Sequence, residues 1–270
     1  MKQTLTKAAV AILAAFTIVL TGCESDLPTP NEPEIPEIPE EPAPKPAQAT
    51  IRATYTVEAG ETVTLYRYGS MDIEKIYLDE KWVPTSHRYT FKEAGEYTFT
   101  YQLNSGIVGE QAFILCTPLT AMELCEGVTK IEDNAFTGCT ALKAVTMPST
   151  LESIGKGAFQ SCASLTSVNI PEGVKRMDGS FNACAALESI SLPSTLESIG
   201  RGCFLNCISL ASITCKATMT APSLDREIFG VKGGGVLTVP TGATGYDEWM
   251  KKGIGRLGMF GWTLQYSDEL

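Results

Sequence analysis

The stretch Val128-Thr-Lys-Ile131-Glu-Asp-Asn-Ala135-Phe136-Thr-Gly-Cys139-Thr-Ala-Leu142-Lys-Ala-Val145-Thr-Met147-Pro148 decides the fold, because its pattern returns three more times. The next copy carries Leu151, Ile154, Ala158, Phe159, Cys162, Leu165, Val168, Ile170 and Pro171. A third reads Val174, Met177, Phe181, Cys184, Leu187, Ile190, Leu192 and Pro193, and a fourth Leu196, Ile199, Cys203, Phe204, Cys207, Leu210, Ile213 and Cys215. Phe136, Phe159, Phe181 and Phe204 stand 23, 22 and 23 residues apart. Such a period marks a solenoid, in which each coil buries an apolar face that it could not bury alone. The copy around Met177-Asp-Gly-Ser180-Phe181 lacks one residue and the Ala before Phe, which predicts a locally tightened coil.

Inside each copy the run Leu-x-x-Val-x-Ile alternates as a strand does, so its intervening residues face outward. Two rows result, Ala144, Ser167, Ser189 and Ser212, and beside them Thr146, Asn169, Ser191 and Thr214. They are small, mostly hydroxylated and uncharged, and form the candidate ligand-binding strip for an extended peptide or glycan. Cys139, Cys162, Cys184 and Cys207 recur at the period of the repeat and not at metal-binding C-x₂-C spacing. That places one thiol on each coil in a buried ladder, with Cβ vectors pointing the same way and the thiols therefore free. Cys116 and Cys125, at the junction ahead of the repeats, are the best-placed pair for a disulfide.

The unit L-x-x-I-x-x-x-A-F-x-x-C-x-x-L-x-x-V-x-I-P resembles the BspA-like leucine-rich-repeat family of bacterial surface proteins, over residue 122 to about residue 240. The resemblance implies a right-handed solenoid with short parallel strands and a tight turn near Ala-Phe. It also implies adhesion to host matrix proteins or other cells. Beyond Cys215 the period is lost, and residues 217–270 read as a C-terminal cap. Its expected elements are a strand at Val236–Pro240, a short helix from Tyr246 to Lys252 and a last strand at Gly261–Tyr266. Phe229, Tyr246, Trp249, Phe260, Trp262 and Tyr266 supply bulk to cover the solenoid's open end, and a sugar-stacking platform of Trp249 and Trp262 is the alternative use.

Ahead of the repeats, residues 50–117 hold about six β-branched or aromatic runs separated by turn residues, which predicts a small β-sandwich. The expected strands include Thr54–Val57, Thr62–Tyr66, Ile73–Leu78, Tyr89–Phe91, Tyr97–Leu103 and Ala112–Leu115. Glu93-Ala-Gly-Glu-Tyr97-Thr-Phe99 resembles the corner of immunoglobulin-like domains, with Tyr97 as the corner tyrosine. Trp82 is expected in the core and His87 in a turn.

Lys2 and Lys7 precede an apolar run at residues 8–20, too short to span a bilayer and suited to a signal peptide over residues 1–22. It ends in Leu20-Thr-Gly-Cys23, which resembles the lipobox of bacterial lipoproteins and implies acylation of Cys23. Glu24 and Asp26 resemble the export signal of surface lipoproteins. Residues 23–49 carry eight of the fifteen prolines and seven acids against Lys45, the composition of an extended, disordered stalk.

Without the signal peptide the chain has 19 basic and 31 acidic residues, and half of the excess belongs to the stalk. No basic field is left for nucleic acid. One His, no hydrolase elbow, no phosphate loop and no zinc spacing leave catalytic residues, metal and cofactors unassigned. The sequence is read as a mainly β, non-enzymatic outer-membrane lipoprotein exposed at the cell surface. It comprises an anchor, a stalk, a small immunoglobulin-like β-sandwich, a four-coil leucine-rich-repeat solenoid over residues 118–216 and an aromatic cap. Its expected partners are the membrane through its anchor and a host or bacterial surface protein. Glycan capture or a structural spacer are the alternatives, and oligomeric state is left open.

Overall fold

The N-terminal strands are β1 (Ala49–Val57), β2 (Thr62–Thr64), β3 (Ile73–Leu78), β4 (Lys81–Val83), β5 (Arg88–Thr90) and β6 (Gly95–Leu103). Six coils follow, each with one short and one longer strand. The pairs are β7 (Ile107–Val108) and β8 (Leu119–Leu124), β9 (Lys130–Ile131) and β10 (Ala144–Thr146), β11 (Ser153–Ile154) and β12 (Ser167–Asn169), β13 (Arg176–Met177) and β14 (Ser189–Leu192), β15 (Ser198–Ile199) and β16 (Ser212–Cys215), and β17 (Ser223–Leu224) and β18 (Gly235–Pro240). A four-residue helix α1 (Asp247–Met250) and strand β19 (Trp262–Ser267) close the chain. The computed structural model describes residues 49–218, 220–225, 227–229, 234–250 and 261–270, all within one unit from Pro44 to Leu270. The signal peptide, Cys23, residues 24–48, Phe260 and the expected helical residues 251–252 lie outside the described residues.

The coils are built on a ring stack. Phe113, Phe136, Phe159, Phe181, Phe204 and Phe229 lie face to face with centroids 5.2, 5.0, 5.4, 6.2 and 5.6 Å apart. All six are buried. Each of the first five rings is held between two residues in the left-handed backbone region, where the chain turns, and Phe229 follows one. Two positions before Phe these are Gln111, Asn134, Gly157, Gly179, Gly202 and Glu227, and two after it Leu115, Gly138, Ser161, Ala183 and Asn206. The Phe amides donate to the next coil, for instance Phe113 N–H to the Ala135 carbonyl and Phe136 N–H to Ala158, both at 2.7 Å. A backbone ladder therefore runs through the turns as well as the strands.

The four-coil count is corrected to six. Ala112–Leu115, expected as a strand, is a turn, and Phe113 is the first ring of the stack. Phe229 is the last. The missing residue of the third copy is absorbed in the turn at Asp178-Gly179. Phe181 remains buried and the stack opens after it, to 6.2 Å, instead of tightening. The buried Ser180 donates its hydroxyl to the Gly155 carbonyl at 3.2 Å, which satisfies the polar atom standing where other coils have Ala.

A second device locks coils in pairs. Glu126 accepts from Ser149 N–H at 3.1 Å, and Glu172 accepts from Ser194 N–H at 3.0 Å. Thr150 and Thr195 receive the amides of Gly127 and Gly173 at 3.1 and 3.0 Å. The Ser149 backbone bond holds the Glu126 carboxyl below its ordinary range. Partial burial opposes the same effect at Glu172, where the bonds from Ser194 and Thr195 still leave a net lowering.

The N-terminal strands do not form a separate layer beside the solenoid. One six-stranded sheet runs β10-β8-β1-β6-β3-β4, so the longer strands of the first two coils continue it. The two-stranded sheet β2-β5 packs against it, with Tyr89 and Phe91 edge-on to Phe99. Tyr55 and Tyr101 share a buried hydroxyl–hydroxyl hydrogen bond of 2.9 Å. The Tyr97 hydroxyl donates to the Glu93 carbonyl at 3.1 Å. Trp82, expected in the core, is 62% exposed, because β4 is the edge strand and its outward position carries the indole.

At the other end Trp262 meets Phe229 at 6.5 Å and continues the aromatic column. Trp249 is buried and its indole N–H donates to the Pro222 carbonyl at 3.0 Å. A sugar platform built from Trp249 and Trp262 is thereby excluded, since the first ring offers no open face.

Candidate binding face

The alternating burial of the longer strands leaves one side of the sheet to solvent. Along it Ser167 pairs with Ser189, Ser189 with Ser212, and Ser212 with Val236. Beside that row Asn169 pairs with Ser191, Ser191 with Thr214, and Thr214 with Thr238. Ala144, Thr146, Ser167 and Asn169 are exposed, while Ser189, Ser191, Ser212 and Thr214 are half-buried. The sheet is interrupted between β10 and β12, so Ala144 and Thr146 register with Ala121 and Glu123 of the first coil. The two rows also run on to Thr263 and Gln265 of β19. The unit derived from four copies missed Ala121, Glu123 and Thr238 because their strands lie in coils that depart from its consensus, and Gln265 because β19 lies beyond the coils.

The strip carries little charge. Glu123 is bonded to Arg52 of β1 at 2.9 Å, and this bond raises the Arg52 pKa further. A depression of about 570 Å³ opens there, lined by Thr50, Arg52, Glu123, Cys125, Thr146 and Ser149 among others. Rows of hydroxyls and amides at strand spacing, about 4.8 Å, can hydrogen-bond a ligand laid across the coils. They contain no nucleophile–base pair.

Behind the strip, the cysteines form five rungs. The Cys139, Cys162, Cys184 and Cys207 thiols donate to the carbonyls of Phe113, Phe136, Phe159 and Phe181 in the preceding coil, at 3.0, 3.3, 3.1 and 3.1 Å. Cys116 is a further rung, donating to the Thr64 carbonyl at 3.5 Å. The thiols are therefore donors as well as small apolar groups, a role that spacing alone does not reveal. Burial pushes Cys116 and Cys207 up to about 12 and raises Cys139, Cys162, Cys184 and Cys203 also. Cys116 and Cys125 are not joined: the first is inside the ladder and the second lies 3.7 Å from Arg52 at the surface. Among the described residues no three His, Cys, Asp or Glu side chains gather as a metal site requires.

The BspA type leucine-rich-repeat region family matches residues 106–230 in six copies, the number of the coils. The repeats belong to that family. Among the described residues no helix is long and apolar enough to cross a membrane. Solved structures of other leucine-rich-repeat proteins resemble this chain. The T. pallidum leucine-rich-repeat protein is 24% identical, with 48% of this chain and 65% of that one covered and a TM-score of 0.39. A leucine-rich-repeat protein from Bacteroides ovatus is 20% identical, with 56% and 37% covered and a TM-score of 0.37. A leucine-rich cell surface protein from Faecalibacterium prausnitzii is 21% identical, with 52% and 60% covered and a TM-score of 0.29. The chain spans less than two thirds of each. No curated protein matches its sequence.

Proposed function

We propose that this BspA-type protein is a non-enzymatic binding module of the bacterial cell surface, anchored in the outer membrane through acylated Cys23 and carried on the residue 24–48 spacer. It adheres to a host or bacterial surface protein through the strip that includes Ser167, Asn169, Ser189, Ser191, Ser212 and Thr214. The observation that carries the reading is the register of that strip: two adjacent rows of small hydroxyl and amide side chains, aligned strand to strand and turned to solvent. The anchor supplies hydrophobic attachment through its acyl chains, and the repeats need no partner for folding beyond their own neighbours. Substituting Ser189→Glu together with Ser191→Glu places two charges on the strip without touching the core. Adhesion of the purified protein to a matrix-protein surface is expected to disappear with the melting temperature unchanged. Undiminished adhesion by the folded variant would remove the strip from the binding site.

A further inference from the structure

The last strand leaves a free edge. β19 ends the sheet β12-β14-β16-β18-β19, and among the described residues nothing pairs with its far side. The amide of Thr241, the residue after β18, donates to the Ser267 carbonyl at 3.0 Å, so the backbone groups of Ser267 point toward β18. These groups alternate sides along a strand, which turns those of Thr263 and Gln265 toward β18 as well and those of Trp262, Leu264 and Tyr266 outward. Edge strands are ordinarily blunted by charge, proline, a bulge or shortness. β19 has none of these: it is six residues long, carries no charge and follows β18 residue for residue. Its core-side residues are incompletely covered. Tyr266, beside the buried Val239, is 50% exposed, and Trp262 and Leu264 are half-buried.

We infer that β19 is a dimerisation edge, which pairs antiparallel with β19 of a second copy about a twofold axis at Leu264. Leu264 then lies opposite the partner's Leu264, Trp262 opposite the partner's Tyr266, and Thr263 opposite the partner's Gln265. The strand fits its own copy because its outward backbone groups fall at Leu264 and two residues to either side of it. Each outward position meets another across the axis, and each such pair exchanges two N–H to C=O bonds. On the core side the Trp–Tyr and Leu–Leu pairs cover side chains that one copy leaves open, and cross-strand pairs of this kind stabilise a sheet. No like charges meet, since Asp268 and Glu269 follow the strand and lie outside the paired span. A slip of one residue would set core-side against strip-side residues, so the register is pinned. The head of the stack offers no matching edge: β8 is covered by β1, and that sheet ends at β4, three residues that include Lys81. Copies therefore do not add head to tail, and the assembly closes at two.

Multi-angle light scattering of the purified full chain over a concentration series should approach twice the 29.0 kDa chain mass. Thr263 and Gln265 are exposed, so Thr263→Lys with Gln265→Lys leaves the core untouched while setting like charges opposite each other across the axis. That variant should melt as the parent does and dimerise about 100-fold more weakly. Thr263→Glu with Gln265→Glu should be equally weak by itself, and an equimolar mixture of the two variants should recover the dimer. A parent that stays monomeric at every concentration overturns the inference, whether its edge is left open or taken by a strand of a different protein. A dimer that persists undiminished in the lysine variant, or a mixture that stays monomeric, overturns the β19 pairing.

Discussion

Raising the pH should dismantle the solenoid through its thiols. Cys116, Cys139, Cys162, Cys184, Cys203, Cys207 and Cys215 are all buried, and burial raises the pKa of each. In the folded chain they stay protonated and five of the seven donate to a carbonyl of another segment. In the unfolded chain they ionise near the ordinary cysteine value, about 8.5. Stability is therefore complete below that value and is lost as pH climbs toward the folded pKa, because the unfolded state releases protons that the folded state retains. Each thiol then forfeits just under 1 kcal/mol at about pH 9 and about 2 kcal/mol at pH 10. The seven together remove about 6 kcal/mol and then about 14 kcal/mol, comparable with the whole stability of an ordinary domain. Urea unfolding followed by circular dichroism in reductant at about pH 7, 8 and 9 should give a free energy that falls steeply over the last unit. Replacing Cys162 and Cys184 by Ala should flatten that fall by somewhat under about a third, since two of the seven buried titrations vanish. A free energy that stays level from about pH 7 to pH 9 would refute the reasoning.

Thiol labelling of the folded protein should reach Cys125 and spare the seven buried cysteines among the described residues, with all eight reacting once it is unfolded without reductant. A shortfall after unfolding would mean disulfides. Ala183→Gly should stabilise the protein by about 1 kcal/mol in the same denaturation assay, because Ala183 sits at φ 61° where a side chain is strained and glycine is not. On the acid side, the lowered Glu126 and Glu172 contribute stability that is present above the ordinary glutamate pKa and lost as pH falls through their folded values. The Glu126→Gln, Glu172→Gln variant should therefore show a shallower loss of melting temperature below about pH 4 than the parent.

The legible part of the fold was whatever a 22- or 23-residue spacing can carry. Phe136, Cys139 and Val145 announce themselves because each has counterparts in three later copies, and their burial follows from the period. The first coil escaped that reading because its longer strand is Leu119-Thr-Ala-Met122-Glu-Leu124, with Met in place of Val or Ile and no closing Pro. Ala112–Leu115 also has the composition of a strand. The last coil carries the bulkier Ile228 where the others have Ala, Ser or Cys, and has no ladder Cys. In both, the stacked neighbour supplies the fit that the motif lacks: Phe113 on Phe136, and Phe229 between Phe204 and Trp262.

The sequence by itself determined the repeat, the strand faces and the placing of one thiol and one ring per coil, because these depend on residues near one another in the chain. Only the tertiary structure decided that β1 lies between β6 and β8 and that β3 brings β4 to the sheet edge. A period of two says which side a residue faces and nothing about which strand lies beside it. That choice is made by hydrogen bonds between distant segments, such as Arg52 opposite Glu123, and it turns Trp82 from an expected core residue into an exposed residue at the sheet edge.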